Sequence, residues 1–151
     1  MNFTPLNLNL FTFLKLPSVW WCGVRVTDIK SGYCEARVAH RWINQNPFRS
    51  MFWAVQGMAA ELTTGVLIMQ AVNKHKRKVS MLVLNNRANF SKKARGKLIF
   101  SCKDEETINT ALKKLIDTNK PQTLWLTSIG IDQNQDTVST FEFEWTLSLK
   151  Q

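Results

Sequence analysis

Between Arg49 and Lys74 the chain runs for 24 residues, SMFWAVQGMAAELTTGVLIMQAVN, with Glu61 as the one ionisable side chain. Withdrawing a carboxylate from water is costly, and burial raises its pKa by disfavouring the charged form. A carboxylate tuned upward in this way is a competent general base. The competing reading is structural: Glu61 meets a cation or a turn N–H, with Arg49, Arg87 and Arg95 as the candidate guanidinium partners. Ala54, Gly57, Ala60, Thr64, Gly65 and Ile68 share its side of a helical wheel, and most are small. Small residues admit a second backbone or a slender ligand. That is a reason to keep glycines that each cost a helix about 1 kcal/mol relative to alanine.

The other groups able to do chemistry are mostly cations. Twenty Lys and Arg against 11 Asp and Glu give a formal charge of +9 and a pI near 9.8. Such a balance favours anionic partners: nucleic acid, phosphorylated cofactors or an acidic membrane surface. No nucleic-acid motif and no separate basic domain accompany the charge, so nucleic acid is not the expected partner. The run Lys74-His75-Lys76-Arg77-Lys78 reads as a solvated turn. Cys22, Cys34 and Cys102 form no CxxC pair, and only His40 and His75 join them, so no metal site is expected. An odd cysteine count argues against a disulfide framework and favours a reducing cytoplasm. The N-terminus lacks a basic n-region and a cleavage signature, and no apolar run reaches the length of a membrane span.

The elements that must position these groups follow from periodicity. Residues 5–16 read as a short helix covering core, ended by Leu16-Pro17. Val24–Ile29 and Cys34–Trp42 form a hairpin about Ser31-Gly32, with His40 on the inward face as a core histidine. Phe52, Val55, Ala59, Leu62, Val66 and Met69 recur at steps of three and four, which predicts a long central helix over about 48–72. Asn46-Pro47 suits an N-cap followed by proline at the first helical position, and Ser50 caps instead if the helix starts later. Val79–Phe90 and Lys97–Cys102 read as strands, Asp104–Asn119 as an amphipathic surface helix, and Thr123–Asp132 and Val138–Leu149 as strands. One apolar helix followed by antiparallel strands packs economically as a curved sheet wrapped around the helix, an α+β domain spanning residues 1–151.

That order, with HRWINQNPFRSMFWAVQGMAAELTTG, NNRANFSKKARG and the closing VSTFEFEW, resembles the hotdog fold. Within it the chain looks like acyl-CoA thioesterases of the phenylacetyl-CoA type, and most like a branch known as a domain of unknown function. The resemblance spans roughly residues 20–149. It implies an Asn in the loop before the helix and an acid two turns into it, which fall on Asn46 and Glu61. It also implies a homo-oligomer, a dimer or dimer of dimers, with sites at the subunit interface. The family's usual His-Gly-Gly at the helix start is replaced by Phe52-Trp53-Ala54, and its usual Asp by Glu61. On this reading Glu61 activates water or attacks an acyl-CoA thioester directly, and Asn46 orients the water or the carbonyl. The N–H groups around Met51, Phe52 and Trp53 serve the oxyanion, and Gly57 admits the substrate. Arg87, Asn89, Lys92, Lys93 and Arg95 hold the coenzyme A phosphates; no other cofactor is implied. Trp20-Trp21 either belong to the core or border an acyl tunnel. The alternative of a different class is a non-catalytic protein that binds acyl-CoA or fatty acyl chains. A dehydratase or isomerase wants a His–acid pair, and nothing sets His40 beside Glu61.

Overall fold

The computed structural model describes residues 2–75 and 77–150. Met1, Lys76 and Gln151 lie outside the described residues, and with them the centre of the Lys74–Lys78 run. The chain forms α1 (Pro5–Lys15), α2 (Pro17–Trp21), β1 (Arg25–Lys30), β2 (Tyr33–Ala39), a 3-10 turn at Trp42–Asn44, and the long α3 (Trp53–His75). It continues with β3 (Val79–Phe90), β4 (Lys97–Cys102), α4 (Glu105–Thr118), β5 (Gln122–Ile131) and β6 (Thr137–Leu149). The six strands make one antiparallel sheet in the order β1-β2-β4-β5-β6-β3, curved around α3. This is the hotdog fold.

Alternation fixes which face of each strand meets α3. Leu124, Leu126, Ser128, Phe141, Phe143, Trp145 and Leu147 are buried, while their neighbours point outward. Beside α3, α4 buries Ile108, Ala111, Leu112 and Leu115. The helix and the sheet are also joined by three buried polar pairs. Ser139 donates to Gln56 (2.9 Å), Thr63 and Ser128 share a hydrogen bond (2.9 Å), and the Trp145 indole donates to Thr64 (3.1 Å). A buried polar group without a partner is expensive, so these pairs hold one rotation of α3 above the sheet.

The two edges of the sheet are treated differently. Edge β1 is closed by α1: the Asn9 side chain accepts from the Val26 N–H and donates to the Val26 carbonyl, both at 2.9 Å. Among the described residues edge β3 pairs only with β6, so its other side carries unpaired backbone groups along a 12-residue strand. Past a bulge between Val83 and Asn85, the register sets Ala88 against Phe141 and Asn86 against Phe143, on the α3 side, yet both residues are exposed.

The central helix begins at Trp53, five residues beyond the start that the apolar run suggests. The cause is Asn46. Its carboxamide oxygen accepts from the N–H groups of Phe48 (2.9 Å) and Ser50 (3.3 Å), and its own N–H donates to the Ser50 carbonyl (2.8 Å). Residues 46–50 therefore close into a loop, sealed by a bridge between Gln45 and Met51 and by Arg49 at a left-handed φ of 56°. The reading of Asn46-Pro47 as the helix N-cap is corrected accordingly. Loop-closing side-chain bonds from Asn to nearby backbone compete with helix, and here they prevail.

Thr64→Val tests the polar pinning. It keeps the shape of the side chain and strands the buried indole N–H, so it is expected to lower unfolding free energy by about 1–3 kcal/mol in urea melts. An unchanged midpoint contradicts the role given to that bond.

Candidate active site

Glu61 sits in the middle of α3, half-buried. Among the described residues no cation forms an ion pair with its carboxylate and no donor hydrogen-bonds to it. Desolvation alone acts on it and pushes its pKa above the ordinary glutamate range. The three arginines weighed as partners lie elsewhere. Arg49 is on the 46–50 loop, Arg95 is in the β3–β4 connection, and Arg87 is bound to Glu142 by two hydrogen bonds of 2.6 and 2.9 Å.

Residues at steps of four along a helix share a face, so Trp53, Gly57, Glu61 and Gly65 form one stripe about 12 Å long from Trp53 to Glu61. This stripe looks toward β6 and the open side of the sheet. A Cβ on Gly57 would meet the Phe141 ring at 3.4 Å; one on Gly65 would meet Trp145 at 3.4 Å and the Glu61 carboxylate at 3.7 Å. Both glycines therefore accommodate aromatic rings of β6, and Gly65 also leaves room for the acid. Phe90 stacks edge-on against Phe141 at 5.6 Å and carries this aromatic wall outward to the β3 edge.

At the N-terminal end of the stripe lies a cleft of about 400 Å³ lined by Asn46, Ser50, Met51, Trp53, Gln56 and the Phe90–Ala94 segment. It gathers Asn46, Met51 and Trp53 with Lys92 and Lys93, but not Phe52 or Gly57. Glu61 does not line it; the carboxylate stands farther along the stripe, beside Gly65. Two of the three expected oxyanion donors are engaged. The Met51 N–H donates to the Ala94 carbonyl and that of Phe52 to the Asn44 carbonyl, each at 2.8 Å. Val55 and Gln56 donate back to the Phe52 carbonyl. Among the described residues this leaves the Trp53 and Ala54 N–H groups as the open donors of the first turn.

The cations separate into two groups. Arg87 and Asn89 alternate with Ala88, so they occupy the convex face of β3, away from Glu61; Arg87 also lies over the Trp125 ring at 4.8 Å. Lys92 is held by Asp132 (2.6 Å) and Asp136 (2.9 Å) in the β5–β6 turn. Lys93 and Arg95, which make no ion pair among the described residues, line a second opening with Gly96 and residues 132–134.

Two residues escaped the sequence reading. Gln56 is buried in the cleft wall, donating to the Met51 carbonyl (3.4 Å) while accepting from Ser139. An amide in an apolar stretch of helix was the signal for it, one of three in α3 with Gln70 and Asn73. Asn44 is buried and bonds three backbone groups, accepting from the Arg41 N–H and donating to the carbonyls of Cys22 and Ala39. It fixes the approach to the 46–50 loop, and one of its partners, Cys22, is distant in sequence. His40 lies in the expected inward position, but its Nε2 is buried without a partner among the described residues. All three cysteines are free, with Cys34 and Cys102 opposite each other in the core. No cluster of metal-ligating side chains occurs among the described residues.

A family model described as a domain of unknown function, DUF4442, matches residues 7–147. The chain belongs to that family. No curated protein matches the sequence. Solved structures do. PA5026 from Pseudomonas aeruginosa, described as a protein of unknown function and probable thioesterase, superposes with a TM-score of 0.84 at 19% identity, covering 99% of each chain. Thioesterase HI1161 from Haemophilus influenzae has a TM-score of 0.77 at 13% identity, covering 99% of this chain and 93% of its own. A mutant of thioesterase PA1618 from Pseudomonas aeruginosa has a TM-score of 0.76 at 10% identity, covering 99% of this chain and 97% of its own. At these identities the likeness is one of fold.

The raised pKa of Glu61 has a thermodynamic sign. A folded-state pKa above the unfolded one adds stability that is complete below the unfolded pKa and disappears as pH rises through the folded one. Glu61→Gln is therefore expected to raise Tm relative to the native chain at pH 8 by more than at pH 4. A larger gap at pH 4 contradicts the desolvated, unpaired carboxylate.

Proposed function

We propose that this protein hydrolyses an acyl-CoA or related acyl thioester, with Glu61 as the catalytic carboxylate. The observation that carries the proposal is that Glu61 is half-buried and, among the described residues, unpaired, on a helix otherwise empty of charge from Trp53 to Asn73. A structural carboxylate would have a cation or donor beside it; this one is left basic and open toward one side. Its stripe ends about 12 Å away at the open N–H donors of Trp53 and Ala54, where positive potential from the helix N-terminus favours a developing oxyanion. A carbonyl held there therefore meets the Glu61 of a second copy rather than that of the same chain. Glu61 takes a proton from water as the water oxygen bonds to the thioester carbonyl carbon. Collapse of the tetrahedral species breaks the C–S bond, and the coenzyme A thiolate leaves and takes up a proton. Asn46 stands at the cleft floor as the group that orients water or carbonyl, with Trp53 as a wall of the acyl site. Lys93 and Arg95 are the cations free to receive coenzyme A phosphates. Lys92 is partly neutralised by two carboxylates, and Arg87 faces the other way.

The unpaired edge of β3 and the exposed inner-face residues Asn86 and Ala88 support a homo-oligomer in which a second copy covers the Glu61 stripe. Coenzyme A chemistry and three free thiols fit a cytoplasmic setting. No helix among the described residues is long and apolar enough to cross a membrane. The second reading, acyl binding without turnover, draws on the engaged N–H groups of Met51 and Phe52. It predicts saturable tryptophan quenching by acyl-CoA with no thiol release.

Following free thiol across a panel of acyl-CoAs separates the two. Turnover by the native chain is expected, with Glu61→Gln lowering kcat by about 10²–10⁴-fold. Absence of turnover for every acyl group, or full activity in the variant, refutes the catalytic assignment. Reversing Lys93 and Arg95 to glutamate is expected to raise KM for acyl-CoA at nearly constant kcat, the pattern of lost uniform binding. An unchanged KM removes these two residues from the phosphate site.

A further inference from the structure

The exposed face of α1 is apolar. Leu6, Leu10, Phe13 and Leu14 fall within about 100° of the helical circumference, and Leu6 is 78% and Leu14 63% exposed. The opposite side of the same helix is the one that packs, through Leu8, Thr12 and the Asn9 bonds to β1. The helix is thus apolar on its outward side, the reverse of a helix that merely covers a core.

This face does not end with α1. Phe13 meets Trp20 edge-on at 5.2 Å, and α2 carries Trp21, which is exposed. Asn44 donates to the Cys22 carbonyl, and the Arg41 guanidinium packs over Gly23. Those contacts bring the 3-10 turn, with Trp42 83% exposed, beside the end of α2. Exposed leucines and two exposed tryptophans thus stand on adjoining segments, an apolar region of the surface.

Its charge is equally one-sided. Residues 2–27 contain no Asp or Glu, nor do residues 36–60, whereas Lys15, Arg41 and Arg49 are exposed within them. The two carboxylates between those segments are engaged: Asp28 pairs with Lys30 at 2.7 Å, and Glu35 accepts from the hydroxyls of Thr27 and Tyr33.

We propose that this surface docks on the face of an anionic phospholipid bilayer. Apolar side chains from a short helix enter the acyl boundary, tryptophans lie at the headgroup level, and lysine and arginine meet lipid phosphates. The location suits that occupant. α1 covers edge β1, whereas the edge open to a second copy is β3, at the far end of the sheet order. An oligomer built on β3 leaves α1 uncovered. The inference stands independently of thioester turnover.

Flotation of the full chain with vesicles is the test, using pure phosphatidylcholine and a mixture with roughly one-third phosphatidylglycerol. The native protein is expected to float with the anionic vesicles about fivefold more than with the neutral ones, with a blue shift of tryptophan emission. Leu10→Ser/Leu14→Ser, at exposed positions, is expected to cut the floated fraction about tenfold while leaving Tm and near-UV circular dichroism unchanged. Lys15→Glu/Arg49→Glu, which leaves the apolar face intact, is expected to erase the preference for anionic lipid. A native chain that floats with neither vesicle overturns the proposal, as does a leucine variant that floats equally well. Sedimentation without lipid supplies the remaining outcome. If the leucine variant forms a smaller particle than the native chain, a second copy covers this face and the bilayer assignment falls.

Discussion

A helix with almost no charge can roll about its axis unless something other than greasy contact holds it. In this fold that restraint comes from three buried polar pairs, Gln56–Ser139, Thr63–Ser128 and Thr64–Trp145, spread along α3 and anchored on β5 and β6. Apolar packing alone tolerates small rotations; a stranded amide, hydroxyl or indole N–H does not. With the rotation set, Gly57 and Gly65 must face the rings of Phe141 and Trp145, and Glu61 between them must look along the same side. The position of the acid, its incomplete burial and its lack of a counter-ion among the described residues all descend from that one restraint.

The sheet then decides what the acid faces. Because β3 is the terminal strand and α3 lies over the strands before it, the region beside Glu61 is walled by β6 and open toward β3. The opposite edge is closed by the Asn9 side chain acting in place of a strand. One edge is sealed and the other left available, which is how a sheet avoids indiscriminate pairing while keeping one specific partner surface.

Much of this was legible in the sequence. Alternation from Thr140 to Leu149 marked β6 and its buried aromatic row; the residues Val79 and Phe90 bound β3 as read. The isolation of Glu61 needed only the distribution of charges. Less legible was everything that depends on who bonds to whom across long separations. Asn46 has the look of a helix cap, and only the Ser50 and Phe48 contacts turn it into a loop closer that delays α3 to Trp53. Met51 and Phe52 stand where helix N–H groups would be free, but Ala94 and Asn44 claim them. Arg87 and Lys92 have the composition of a phosphate site, yet strand register sends the first to the convex face and Asp132 and Asp136 hold the second. Periodicity carries face and element; it does not carry partners contributed by distant segments.

The central physical claim is that the Glu61 carboxylate is desolvated and uncompensated in the folded protein. Titration of the native chain carrying ¹³C-labelled glutamate, with the Glu61 resonance assigned by its loss in Glu61→Gln, reads this directly. A midpoint clearly above that of the exposed glutamates agrees with the account. A midpoint at or below theirs means that a cation or donor stabilises the charged form, and contradicts it.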